Sequence, residues 1–139
     1  MGTYSPKKIV FSVAGQAISG YADDSFIKVE RNADAFTHKV GCDGEVGRSL
    51  SADNSGTITL TLLQTAASND LLSALHEADR ISANGKFVAF GEDKNGTSVF
   101  GSGEAWIPKL AAIEEGAEIG TREWRIVCAD LNMFVGGND

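Results

Sequence analysis

The chain has 139 residues, of which 42% are hydrophobic and 22% charged, and it carries a net charge of −7. That length suits a single domain over 1–139 that buries about 70% of its unfolded surface. The acidity argues against a nucleic-acid binder, because phosphate affinity needs clustered Lys and Arg.

The charge is unevenly placed. Residues 26–64 carry four bases and five acids, whereas 65–139 carry six bases and twelve acids. Sixteen glycines against two prolines point to many tight turns and a β-rich fold. No apolar run approaches the ~20 residues of a membrane-spanning helix, and no membrane partner is expected. The opening residues do not read as a signal peptide, and Pro6 stands where a myristoylation signal needs Ser or Thr.

Lys8–Val13 reads as a short apolar strand, turned by Ala14-Gly15-Gln16 towards Ala17-Ile18. Phe26–Arg31 alternates, with Ile27 and Val29 on one face and Lys28 and Glu30 on the other. Phe36–Cys42 and Glu45–Leu50 flank Asp43-Gly44, a hairpin signal. A two-residue loop there would set Lys39 opposite Arg48, an unfavourable like-charge pair, so either the loop is longer or an acid intervenes.

Gly56–Leu63 is the cleanest strand. Ile58, Leu60 and Leu62 face one way, and Thr57, Thr59 and Thr61 form a polar row facing the other. Ser68–Arg80 reads as the one helix, with Ser68 as N-cap, Asp70 in the first turn, and Leu71, Leu72, Leu75 and Ala78 as its apolar stripe.

Phe87–Glu92 and Thr97–Gly103 pair across Asn95-Gly96, and Glu104–Ile107 is a further strand stopped by Pro108. Ala111–Gly120 is an acidic loop bearing Glu114, Glu115 and Glu118. Thr121–Asp130 sets Trp124, Ile126 and Cys128 against Glu123, Arg125 and Val127. Met133–Val135 is the last strand, and 136–139 reads as a short mobile tail. The pattern predicts a mainly β fold, a two-sheet sandwich or barrel with one flanking α-helix.

No catalytic constellation emerges, and the chain is not expected to be an enzyme or to hold a metal or other cofactor. Walker, GxSxG and HExxH patterns are absent, so His38 and His76 read as surface residues. Asp93 to Glu104 has Ser98 where a calcium loop requires glycine, and it reads better as a hairpin. The paired acids Asp23-Asp24 and Glu114-Glu115 lack aromatic neighbours for a sugar platform. Cys42 and Cys128 are far apart and read as free buried thiols.

Four stretches together resemble the tail tube proteins of contractile-tailed bacteriophages: YSPKKIVFSV, SFIKVERNADAFTHKVGCDGEVGRS, NSGTITLTLLQTAASNDLLSAL and TREWRIVCADLNMFVGGND. The resemblance covers the chain nearly end to end and rests on the order and spacing of the stretches. It implies a structural virion protein of the phage tail, made in the host bacterial cytoplasm. Copies are expected to form hexameric rings that stack into a hollow tube through which DNA is ejected.

Expected partners are therefore other copies of the chain, with sheath, baseplate and tail-terminator proteins; DNA would transit without specific binding. Lys28, Glu30, Thr57, Thr59 and Thr61 are candidate lumen residues, forming a polar, non-basic wall. Asp43, Gly44, Glu114, Glu115 and Glu118 are candidates for inter-subunit or ring contacts. Two alternatives remain open: a tube protein of a related secretion-system or bacteriocin machine, and a small binding module of a tail fibre. The fibre module would need an aromatic face, whereas Trp106 and Trp124 read as core residues.

Overall fold

A computed structural model describes residues 2–23 and 26–138. After a short 3-10 turn at Pro6–Lys8 come β1 (Ile9–Val13), β2 (Gln16–Ala17), β3 (Ile27–Arg31), β4 (Phe36–Val40), β5 (Val46–Leu50) and β6 (Gly56–Leu63). Helix α1 (Ser68–Ser82) follows, then β7 (Phe87–Asp93), β8 (Val99–Trp106), β9 (Thr121–Cys128) and β10 (Asn132–Phe134). The expected mainly β architecture with one helix is present.

Eight of the strands form one hydrogen-bonded sheet whose ends supply both layers, and β4 with β5 forms a second, two-stranded sheet. The order in the larger sheet is β2-β1-β7-β8-β9-β6-β3, every neighbour is antiparallel, and β10 also pairs with β8. Among the described residues β4 and β5 pair only with each other.

Strand β8 joins the layers. Phe87 lies opposite Ala105 but Ala89 lies opposite Ser102, so β8 carries an extra residue there. The Ser102 hydroxyl bonds both the N–H and the C=O of Glu104 across this bulge. Bulges bend and twist a strand, and the two expected strands 97–103 and 104–107 are one bent element. β9 pairs with β8 at Ala105 and Trp106, β10 at Val99–Gly101.

The inward sides close over one core. Phe11, Val13, Ile58, Leu60, Leu62, Leu72, Trp124, Ile126 and Leu131 all belong to it. Phe100 lies across Gly91, where any Cβ would collide with its ring, and stacks on Phe11 with centroids 5.6 Å apart.

Several local expectations change. Ala67, not Ser68, occupies the N-cap position of α1. The Ser68 hydroxyl instead accepts a hydrogen bond from the Ser19 N–H at 3.0 Å. Asn69 ties the helix entry to the sheet, with Nδ2 donating to Leu63 O and Ala66 O and Oδ1 accepting from Trp124 Nε1 at 2.9 Å. Ala78 is exposed. His76 takes its place on the inward side, half-buried, with Nδ1 2.7 Å from Ile107 O. Cys128 is buried, but Cys42 is exposed. Trp124 is core, whereas Trp106 is half-buried and stands opposite Val127, on the other face from the core residues.

The tail is docked, not loose, as far as Asn138. Gly136 exchanges hydrogen bonds with the Ser98 hydroxyl, Thr97 N donates to Gly137 O at 3.3 Å, and Gly96 bridges to Asn138. The glycines matter here, since a Cβ on Gly96 would run into the Gly137 carbonyl and one on Gly136 into Thr97. Asp139, and the Asp24 of the paired acids, lie outside the described residues.

Candidate assembly surfaces

Two surfaces stand out, one polar and one apolar. The polar surface is the outer face of β3, β6 and β9. Pairing sets Lys28 opposite Thr59 and Glu30 opposite Thr57 on one side of β6. On the other side, Thr57, Thr59 and Thr61 meet Val127, Arg125 and Glu123. Because side chains alternate across a strand, all of these share the face opposite Ile58, Leu60 and Leu62, which are wholly buried. Lys28, Glu30, Thr57, Thr59 and Thr61 are thus brought together.

Glu123, Arg125, Val127 and Trp106 join that face and were not singled out from the sequence. The alternation of 121–128 was legible. What it could not reveal was that β9 pairs along the whole length of β6. On the face, Lys28 Nζ lies 3.9 Å from Glu30 Oε1, both well exposed, an arrangement worth at most about 1 kcal/mol in water. The Thr57 hydroxyl donates to Asn32 Oδ1 at 2.8 Å.

The apolar surface is the β4–β5 hairpin. Its register pairs Phe36 with Leu50, His38 with Arg48 and Val40 with Val46. One side of the ribbon therefore carries the apolar pairs Phe36–Leu50 and Val40–Val46 with His38 and Arg48 between them, and no residue of either strand is buried. Leu50 is 72% and Val46 60% exposed. The Arg48 guanidinium sits 4.4 Å from the Phe36 ring centroid.

The loop is longer than two residues, which answers the charge problem raised by the sequence. Gly41 N donates to Glu45 O and Gly44 N to Gly41 O, leaving Cys42, Asp43 and Gly44 as a three-residue turn. Lys39 then faces Gly47 instead of Arg48. Gly44 has φ +88, the left-handed position such a turn demands, and Asp43 Oδ1 accepts from Glu45 N at 3.2 Å. At the base of the ribbon, Ser51 N donates to Ala35 O. Nearby, Asp53 Oδ1 accepts from both the hydroxyl and the N–H of Ser55. The Ser55 hydroxyl, followed by its N–H, holds the Asp53 carboxyl below the usual range.

Of the acidic-loop candidates, Glu115 is engaged within the chain, by Arg122 at 3.1 Å and Gln64 Nε2 at 2.8 Å. The Glu114 backbone carbonyl accepts from Arg122, while the Glu114 and Glu118 side chains are exposed. Asp43 and Gly44 sit on the hairpin tip, on a separate element. Among the described residues no cluster of His, Cys, Asp and Glu could hold a metal ion, and no helix is long and apolar enough to cross a membrane.

Comparison with known proteins supplies the family. The chain is 38% identical to Structural protein ORF10 of Pseudomonas phage KPP10, over 98% of this chain and 83% of that protein. Its fold is similar to the sheath/tube terminator of the PVC extracellular contractile injection system, with TM-score 0.64 and 14% identity over 97% of this chain and 99% of that one. A chain of the PVC sheath-tube complex is similar at TM-score 0.62 and 13% identity, covering 95% and 91% of the two chains. The anti-feeding prophage tube-terminating cap is similar at TM-score 0.61 and 8% identity, covering 96% and 92%. Residues 1–136 match the sequence model of the family described as Bacteriophage PhiTE tail tube protein, and this chain belongs to that phage tail tube family.

Proposed function

We propose that copies of this chain form hexameric rings that stack into the hollow tail tube of a virion, and that DNA passes through the lumen during ejection. The role is structural, without catalysis, in a one-domain chain made in the host cytoplasm. Sheath, baseplate and terminator proteins would meet the tube's outside and ends. The polar face of β3, β6 and β9 would line the lumen, and Asp43 and Gly44 would present the hairpin to neighbouring subunits, with Glu114 and Glu118 at further contacts.

The observation that carries this reading is the hairpin. A ribbon that exposes four large apolar residues on one side, with only the His38–Arg48 pair between them, presents the kind of apolar surface that marks a protein–protein contact. A second copy that covered it would remove apolar area from water at about 25 cal/mol per Å². The free edge of β3 gives further support, since closing a ring of subunits removes open edges.

Negative-stain microscopy of the purified protein tests the proposal. Rings or long hollow tubes are expected, and a species that stays monomeric at high concentration would overturn it. The likeness to PVC proteins keeps one second reading in view, a tube of another contractile injection machine. Neighbouring genes would separate the two, capsid and terminase genes marking a phage.

A further inference from the structure

We infer that the outer face of β3, β6 and β9 is a charge-cancelling surface for a moving polyanion, on which Glu30 and Glu123 keep Lys28 and Arg125 from holding duplex nucleic acid. The inference rests on the lumen reading above and adds which residues set the wall's behaviour.

Strand register arranges the face in rows. The middle row reads Lys28, Thr59, Arg125, so its two cations flank a threonine. The row on one side reads Glu30, Thr57, Val127, Trp106, and the row on the other contains Thr61 and Glu123. A cationic row is thus bracketed by two rows that each carry an acid. The four charges sum to zero.

Spacing decides what a passing phosphate feels. Alternate residues of a strand lie about 7 Å apart, within the ~8 Å screening length at physiological salt. A phosphate over the middle row therefore meets the flanking carboxylates together with the cations. Lys28 already lies 3.9 Å from Glu30. Each row contains a threonine of β6, so the wall along that strand offers hydroxyls and no long cationic arm. Without the two acids, the same row would present two unopposed cations per subunit, and each phosphate neutralised adds about 0.9 to the salt slope of binding.

The test begins on the unassembled chain, with affinity for a fluorescent 20-base-pair duplex read by anisotropy across a salt series. Wild type should bind negligibly, and E30Q/E123Q should bind at least tenfold more tightly at low salt, weakening steeply as salt rises. D70N/E77Q on α1 is the control, because it also changes the net charge from −7 by two, to −5, but on the helix that packs on the core side, away from the face. An E30Q/E123Q protein that keeps its circular dichroism and melting temperature yet gains no affinity would overturn the inference, as would an equal gain in the control. The lumen reading is tested separately with T59C in a C42S background. In tubes, a small maleimide should label the introduced thiol and a bulky polymer-linked maleimide should not. Equal bulky labelling of tubes and free chains would overturn the lumen reading itself.

Discussion

Strand β6 and the β4–β5 hairpin both alternate apolar and polar residues, yet they end in opposite environments. In β6, Ile58, Leu60 and Leu62 are wholly buried against the core. In the hairpin, Phe36, Val40, Val46 and Leu50 are all at least half exposed. Alternation specifies that a strand has an apolar side; it does not say what covers it. The body covers its own apolar side by rolling one sheet over itself. Among the described residues the hairpin pairs with no other strand and its apolar side stays exposed, which is why the proposed assembly assigns it to a second copy.

That contrast can be broken by mutation. The largest effect on folding is expected from L60A in the body, where deleting a wholly buried side chain should cost about 2–5 kcal/mol in urea or thermal unfolding. N69A should come next. It leaves the half-buried Trp124–Asn69 linkage without its acceptor and frees the helix entry, for about 1–3 kcal/mol on the same scale.

F36S/L50S in the hairpin should change unfolding by no more than about 0.5 kcal/mol. The same variant should abolish tubes in negative stain. A large loss of monomer stability would mean that the hairpin belongs to the body after all. G44V acts on the same element through the backbone, since φ +88 strains any β-branched residue although space is open around it. It should shorten or abolish tubes while leaving the melting temperature within a few degrees, and normal tubes would remove the turn from the assembly surface.

A last effect, confined to alkaline pH, concerns Tyr21 in the body. Burial pushes its hydroxyl up to about 12 from 10.0, and among the described residues that oxygen has no hydrogen-bond partner. The folded state therefore favours the protonated phenol more than the unfolded chain does. Its contribution is fully present below pH 10 and declines as pH rises to about 12. Wild type should lose stability relative to Y21F across that window, and the two should run parallel below it.

Residue pattern alone supplied most elements and both faces of β3, β6 and β9, because period-two alternation survives whatever a strand pairs with. It also exposed the conflict between Lys39 and Arg48, which the three-residue turn resolves. Ser68 misled because an N-cap residue and a first-turn residue look alike in sequence, and only Ser19 nearby shows where the hydroxyl goes. The docked tail was equally hidden, since Gly136 and Gly137 read as flexible until the Thr97–Ser98 loop is placed beside them.

What the sequence by itself determined was local and periodic: a mainly β chain, its turns, its one helix, and strands with one apolar and one polar side. Tertiary structure decided what depends on non-local pairing. It made the layers one sheet through the β8 bulge, set β9 along β6 so that Arg125 and Glu123 complete the polar face, and left the hairpin's apolar side uncovered. The reason is that strand partners lie tens of residues apart, and backbone hydrogen bonds between strands are nearly blind to side-chain identity. Register is fixed only when all apolar sides compete for the same core.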